Sequence, residues 1–257
     1  MKQRFLSGMI MTLIVVPFIL IGGYAFRIGI SILSVLAYKE LLDLKINKNI
    51  PTLNKVIGVV ALLLLVNLGE NLNVLPLNII AIITLLIFVP LIFNRSNYSS
   101  SEAFKLFYCV IFLGIVFNLM LNAYYYNLKY FLLLIVISTS TDIFAYLGGK
   151  LFGKHHFSKI SPNKTVEGCL CGSLSSLIFS SIYYYFVISN EISIPIIIFL
   201  LLLSITGQVG DLVFSKIKRD NEIKDFSNLI PGHGGILDRV DSIIFILIMF
   251  SIIYKYI

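Results

Sequence analysis

The chain has 257 residues, 58% of them hydrophobic and 13% charged, with a mean hydropathy of +0.95, whereas a soluble domain carries roughly 25% charged residues. These figures argue against intrinsic disorder, a secreted disulfide scaffold, a coiled coil and an ordinary soluble enzyme. Twenty Lys and Arg against thirteen Asp and Glu leave a formal charge of +7, which suits anionic partners such as phospholipid or nucleotide.

A helix needs roughly 20 apolar residues to cross a hydrocarbon core of about 30 Å. In chain order, apolar segments run over 5–26, 28–38, 56–69, 71–94, 106–128, 130–141, 168–190, 192–210 and 242–254. The shorter ones gain length because Lys39 and Lys55 can snorkel to the headgroups, and the sixth continues apolar past Asp142. The first follows a basic start, Met1 to Arg4, but no small-residue cleavage site follows it, so a retained helix is expected. With the N-terminus in the cytoplasm, seventeen of the twenty Lys and Arg fall on the cytoplasmic side; only Arg27, Lys129 and Lys255 fall outside. Cytoplasmic loops carry such an excess. The expected fold is therefore all-α: a polytopic bundle of about nine transmembrane helices, N-terminus cytoplasmic, in the cell membrane. It reads as a single domain over 1–257, with scaffold and lipid-facing helices in 1–128 and the chemistry in 129–257.

Nine of the thirteen acids lie between Asp142 and Asp241. A carboxylate at the centre of a membrane helix costs about 2.5–3.5 kcal/mol on insertion scales, so Asp142 and Asp211, each interrupting an apolar segment, read as a metal, ion or proton site. Hydration near the interface is the plainer alternative. Helical spacing puts Asp142, Tyr146 and Gly149 on one face. Ser161-Pro162-Asn163-Lys164-Thr165-Val166-Glu167-Gly168 reads as a polar turn before the next helix, with Ser161 as N-cap and Pro162 at the first helical position. Its exposed N–H groups, with Lys164, suit a phosphate; an ordinary capped helix is equally consistent.

Asp211, Ser215 and Lys218 recur at i, i+4 and i+7, one stripe with an acid, a hydroxyl and a base. Pro231-Gly232-His233-Gly234-Gly235 forms a loop able to turn several N–H groups onto an anion. Asp238 and Asp241, at i and i+3, can converge on one cation, and oxygen ligands with phosphates suit Mg²⁺ rather than zinc. His233 reads as a phosphate donor or a structural loop residue, and His155-His156 as a solvated pair. Cys109, Cys169 and Cys171 sit among apolar residues without a C-x-x-C pair and read as packing residues. Clustered carboxylates, many bases and glycine-rich turns on one side of a membrane point to phosphoryl or nucleotidyl transfer.

From Ser215 to Asp241 the chain resembles the signature of the CDP-diacylglycerol synthase, or phosphatidate cytidylyltransferase, family: a serine, Lys-Arg, Lys-Asp, Pro-x-His-Gly-Gly and Asp-Arg-x-Asp. The matching residues are Ser215, Lys218-Arg219, Lys224-Asp225, Pro231, His233-Gly234-Gly235, Asp238-Arg239 and Asp241. The segments Ser161-Pro162-Asn163-Lys164-Thr165-x-Glu167-Gly168 and Gly207-Gln208-x-Gly210-Asp211 are similar to the family too.

The resemblance implies attack of a phosphatidic acid phosphate on the α-phosphorus of CTP, giving CDP-diacylglycerol and pyrophosphate. It implies Asp211 and Asp238 as the main metal carboxylates, with Asp241 close by and Asp142 a further candidate. Lys218, Arg219 and Arg239 would join the two main acids in catalysis. Lys164, Glu167, Ser161, Ser215, Lys224, His233, Gly234 and Gly235 would bind substrates. The cofactor would be Mg²⁺, with room for a second, monovalent cation. Expected partners are CTP, phosphatidic acid and membrane lipids, with a homodimer admissible and no nucleic acid. A CTP transferase acting on an ether-linked lipid is the nearest alternative; an ion-coupled transporter is disfavoured by the one-sided acids and the lack of an evident inverted repeat.

Overall fold

The computed structural model describes residues 2–47, 50–68, 77–93, 98–158, 161, 164–232 and 234–254. Among these the ordered elements are helices: α1 (Lys2–Ile21), α2 (Gly23–Leu42), α3 (Thr52–Leu68), α4 (Leu77–Phe88), α5 (Pro90–Phe93), α6 (Ser100–Tyr126), α7 (Leu128–Phe152), α8 (Val166–Tyr183), α9 (Ile194–Asp220) and α10 (Leu237–Ile253). A single π-helical turn, Tyr184–Ile188, prolongs α8. With α5 taken as the continuation of α4, each predicted apolar segment has a helix of its own. Among the described residues, four helices are long and apolar enough to cross a membrane: Ser100–Tyr126, Leu128–Phe152, Val166–Ile188 and Ile194–Asp220.

Several boundaries differ from the sequence reading. The first helix ends at Ile21 and not at Phe26; Gly22 adopts φ 65°, a left-handed conformation that costs glycine nothing, and Phe26 and Arg27 lie inside α2. The helix expected to stop at 210 runs on to Asp220, so Asp211, Ser215, Lys218 and Arg219 are all helical. Ser161 is not the N-cap of α8. That place belongs to Thr165, whose hydroxyl accepts the Gly168 N–H at 3.1 Å, while the Ser161 carbonyl accepts the Lys164 N–H at 3.0 Å in the preceding turn.

The chain divides into two compact units, Met1–Asn122 with Asp225–Arg239, and Ala123–Lys224 with Val240–Ile257. In the first, Leu62, Leu65, Ile83, Ile87, Leu106 and Leu113 form a fully buried core. The Asn118 amide donates to the carbonyls of Leu65 (3.3 Å) and Val66 (3.0 Å), fastening α6 to α3. Ser99 and Glu102 cap α6 reciprocally, as a capping box does.

In the second unit α8 buries Gly168, Gly172, Ser176 and Ser180, one small residue per turn. A Cβ on Gly168 would lie 2.7 Å from the Ala145 carbonyl oxygen, and one on Gly172 would lie 2.9 Å from that of Thr141. The backbones of α7 and α8 are thus in direct contact, as small-residue spacing allows between membrane helices. Thr141 Oγ1 and Ser204 Oγ, 2.9 Å apart, join α7 to α9. A Cβ on Gly210 would meet the Asp241 carbonyl at 2.9 Å, so α9 and α10 also touch backbone to side. These contacts place Asp142 on α7, Asp211 on α9 and Asp241 on α10 within one packed unit.

Candidate active site

The second unit holds an open cavity of about 320 Å³ lined by Asp142, Ala145, Tyr146, Ser161, Lys164, Thr165, Cys169, Gln208 and Asp211. That is the lower end of the size range of ligand pockets, about 300–1,000 Å³. Asp142 and Tyr146 reach it from α7, as their shared face predicts, but Gly149 on that face turns to α8, where its Cβ position lies 3.1 Å from Thr165 Oγ1. The loop before α8 is held as a short hairpin: Phe157 N–H donates to the Lys164 carbonyl at 2.8 Å and Val166 N–H to that of His155 at 3.0 Å. This loop carries Lys164 to Asp211, with which it forms an ion pair in which both side chains are about one quarter exposed. An ammonium beside a carboxylate at a cavity wall supplies an anion contact and, once displaced, a cation contact.

The stripe on α9 forms as its spacing predicts. Ser215 Oγ donates to Asp211 Oδ1 at 3.4 Å, and Lys218 is buried one turn further on. Asp241 lies within electrostatic reach of Asp211, Asp142 and Lys218, and its Oδ1 accepts the Ser242 N–H at 2.8 Å. Ser242 Oγ in turn donates to both Asp142 oxygens at 3.4 Å. Three carboxylates from three helices therefore share one neighbourhood with two hydroxyls and two lysines. Among the described residues no three carboxylate, imidazole or thiol groups converge at metal-ligand spacing.

Other expected residues have local partners. Glu167 accepts the backbone N–H groups of Lys154 (3.1 Å) and His155 (3.2 Å), and its Oε1 lies 2.6 Å from His155 Nδ1. His155 is thus tied to the hairpin, not simply solvated as the sequence suggested. Arg219, exposed, donates from Nη1 to the Ile223 carbonyl at 3.1 Å, closing the end of its own helix. Lys224 is exposed.

In the first unit, Asp238 is buried and its Oδ2 accepts the N–H groups of Phe226 (2.8 Å) and Gly235 (2.9 Å). Gly234, at φ 81°, completes the turn. Arg239 is exposed, and His233 lies outside the described residues. Within the glycine loop the Gly235 N–H is therefore taken by a carboxylate of the protein and not held ready for a ligand anion, and the N–H groups of Ile236 and Leu237 just after it are taken by the Glu40 carboxylate. One of these carboxylates was missed by sequence reasoning: Glu40, at the end of α2, far from any motif. An acid between Tyr38 and the apolar pair Leu41-Leu42 was the available signal. Gln208, which donates to the Cys169 carbonyl (3.1 Å) and Ser173 Oγ (2.8 Å) at the cavity wall, was visible only as part of a motif.

Relatives match along nearly the whole length. The chain is 35% identical over 256 residues to the phosphatidate cytidylyltransferase of Staphylococcus aureus strain COL, 98% of each chain being covered. The enzymes of the same name from Staphylococcus haemolyticus strain JCSC1435 and Staphylococcus saprophyticus are 32% and 33% identical over the same share. Residues 2–257 match the family described as the Cytidylyltransferase family. The signature on α9 and α10, the polar cavity and this end-to-end similarity together mean that the chain belongs to the cytidylyltransferase family.

Proposed function

We propose that this chain transfers the cytidylyl group of CTP to phosphatidate, forming CDP-diacylglycerol and pyrophosphate in phospholipid synthesis. The observation that carries the reading is the cavity in which Lys164 meets Asp211 beside Asp142, in a chain similar from end to end to phosphatidate cytidylyltransferases. An oxygen of the lipid phosphate attacks the α-phosphorus of CTP in line. The new P–O bond forms as the bond from the α-phosphorus to the bridging oxygen breaks, and the electron pair leaves with pyrophosphate. A phosphate dianion already carries its nucleophilic lone pair, so no general base is required, and the protein's work is positioning and charge compensation.

In this reading Lys164 exchanges Asp211 for a phosphate oxygen when substrate binds. Lys218, Arg219, Lys224 and Arg239 compensate the remaining phosphate charge. Ser161, Ser215 and Glu167 orient ligands or the loop that carries Lys164, and His233, Gly234 and Gly235 border the phosphates. Beside Lys164, Cys169 and Gln208, the cavity wall offers the carboxylates of Asp142 and Asp211 and the hydroxyls of Tyr146, Ser161 and Thr165, hard oxygen donors that fit Mg²⁺. Asp211, Asp142 and Asp241 would hold it; Asp238 is proposed as a further metal carboxylate from the motif, and a monovalent cation as a second ion. Bound there, Mg²⁺ would neutralise charge on the triphosphate. The chain crosses the cell membrane several times with this site on the cytoplasmic side. A homodimer belongs to the same proposal.

The test uses detergent-purified protein with labelled CTP and phosphatidic acid, with and without Mg²⁺. Mg²⁺-dependent formation of a CDP-lipid with equal pyrophosphate release is expected. A CDP-lipid formed only from an ether-linked lipid phosphate overturns the substrate, and no CDP-lipid from either overturns the reaction.

A further inference from the structure

Glu40 lies in the last turn of α2, where its charge meets the negative end of the helix dipole, and it is buried to 4% exposure. A buried carboxylate persists only when donors compensate its lost hydration. Three do so. Ser227 Oγ donates to Oε1 at 2.7 Å, the Ile236 N–H to Oε1 at 2.8 Å and the Leu237 N–H to Oε2 at 2.8 Å. All three come from a segment 187 or more residues later.

The two N–H groups stand at the start of α10, where a helix has no internal acceptors for its first donors. Glu40 thus caps α10 from another helix, and the positive end of the α10 dipole favours its charge there. Gly235 completes the fit, since a Cβ at that position would come within 2.6 Å of Glu40 Cδ and 2.7 Å of Oε2. The next carboxylate along, Asp238, takes the Gly235 N–H. Three consecutive N–H groups, from Gly235 to Leu237, are therefore held by two protein carboxylates.

We infer that Glu40 is a positioning residue for the signature segment: it sets where α10 begins and so the orientation of Asp238 and Arg239 in the turn that follows. The kinetic consequence rests on the proposed cytidylyl transfer; the structural one does not. Glu40→Gln leaves a neutral group that accepts through a single oxygen and presents an amide to the donors on the other side. The test measures hydrogen–deuterium exchange of the peptide covering 235–237 and the kinetics of CDP-lipid formation in the same purified protein. Glu40→Gln is expected to speed exchange at 235–237 by about tenfold, an N–H bond to a charged acceptor being lost, with α3 and α6 unchanged. It should lower kcat by about tenfold or more with KM for CTP and for phosphatidic acid nearly constant, since what moves is the placement of the reacting groups. Ser227→Ala, which removes one of the three donors, should give a smaller change in the same direction and serves as the readout if Glu40→Gln does not fold. Wild-type exchange rates at 235–237 in the folded variants overturn the inference, and so does faster exchange with unchanged kcat. A wild-type protein without CDP-lipid activity overturns the proposed reaction instead, and the exchange measurement still decides the role of Glu40.

Discussion

Lys164 and Asp211 are 47 positions apart in sequence and form an ion pair at the wall of the polar cavity. Each balances the other's charge, so removing one leaves the other without its counter-ion in a partly desolvated place. Asp211→Asn retains the shape of the side chain and its hydrogen bond from Ser215, but loses the negative charge that the proposed metal and Lys164 require. Turnover should fall roughly 100-fold or more, by comparison with the losses seen when groups around a metal site are removed. Elution of the variant as a folded protein in detergent would separate this from misfolding. Activity near the wild-type level with Mg²⁺ would remove Asp211 from the proposed metal site.

The seam between α7 and α8 shows how an element positions chemistry without taking part in it. Gly168 and Gly172 bring α8 onto the backbone of α7 at Ala145 and Thr141, the residue before Asp142. Gly172→Ala puts a methyl group 2.9 Å from both the Thr141 carbonyl oxygen and the Ala145 Cβ. Overpacking of this kind costs about 1–3 kcal/mol, and the strain falls on the turn that carries Asp142. A lowered Tm in detergent, with activity lost in parallel, is the expected result; an unchanged Tm would mean that the helices separate at no cost. The N-terminus of α8 follows the same logic on a smaller scale. Thr165 caps it because the hairpin from Phe157 to Lys164 delivers that residue, and not Ser161, to the first turn.

For the whole molecule, the distribution of charge predicts orientation. With the N-terminus in the cytoplasm, seventeen of twenty Lys and Arg lie on that side, and the surface charge of that leaflet favours them there. Single cysteines replacing Lys154 and Lys224 should therefore be labelled by an impermeant reagent in inside-out vesicles and protected in intact cells, and one replacing Lys129 should behave in the opposite way. Labelling of Lys154→Cys from outside the cell would invert the proposed topology. Each compact unit holds its own share of the signature. One contains the cavity with Lys164, Asp211 and Asp142; the other contains the loop from Asp225 to Arg239, with Asp238 and Glu40.

By itself the sequence determined the helical character, the number of apolar segments, the stripe of Asp211, Ser215 and Lys218, and the family. These depend on hydropathy and on spacing along a single helix, which are local and periodic. What only the tertiary structure decided were relations between distant segments: the pairing of Lys164 with Asp211, the cap supplied by Glu40, the Glu167–His155 contact and the helix break at Gly22. Each depends on which side chain reaches an N–H group or a charge first once helices pack. A buried carboxylate takes whatever donors the fold brings to it, and a linear pattern does not contain that information.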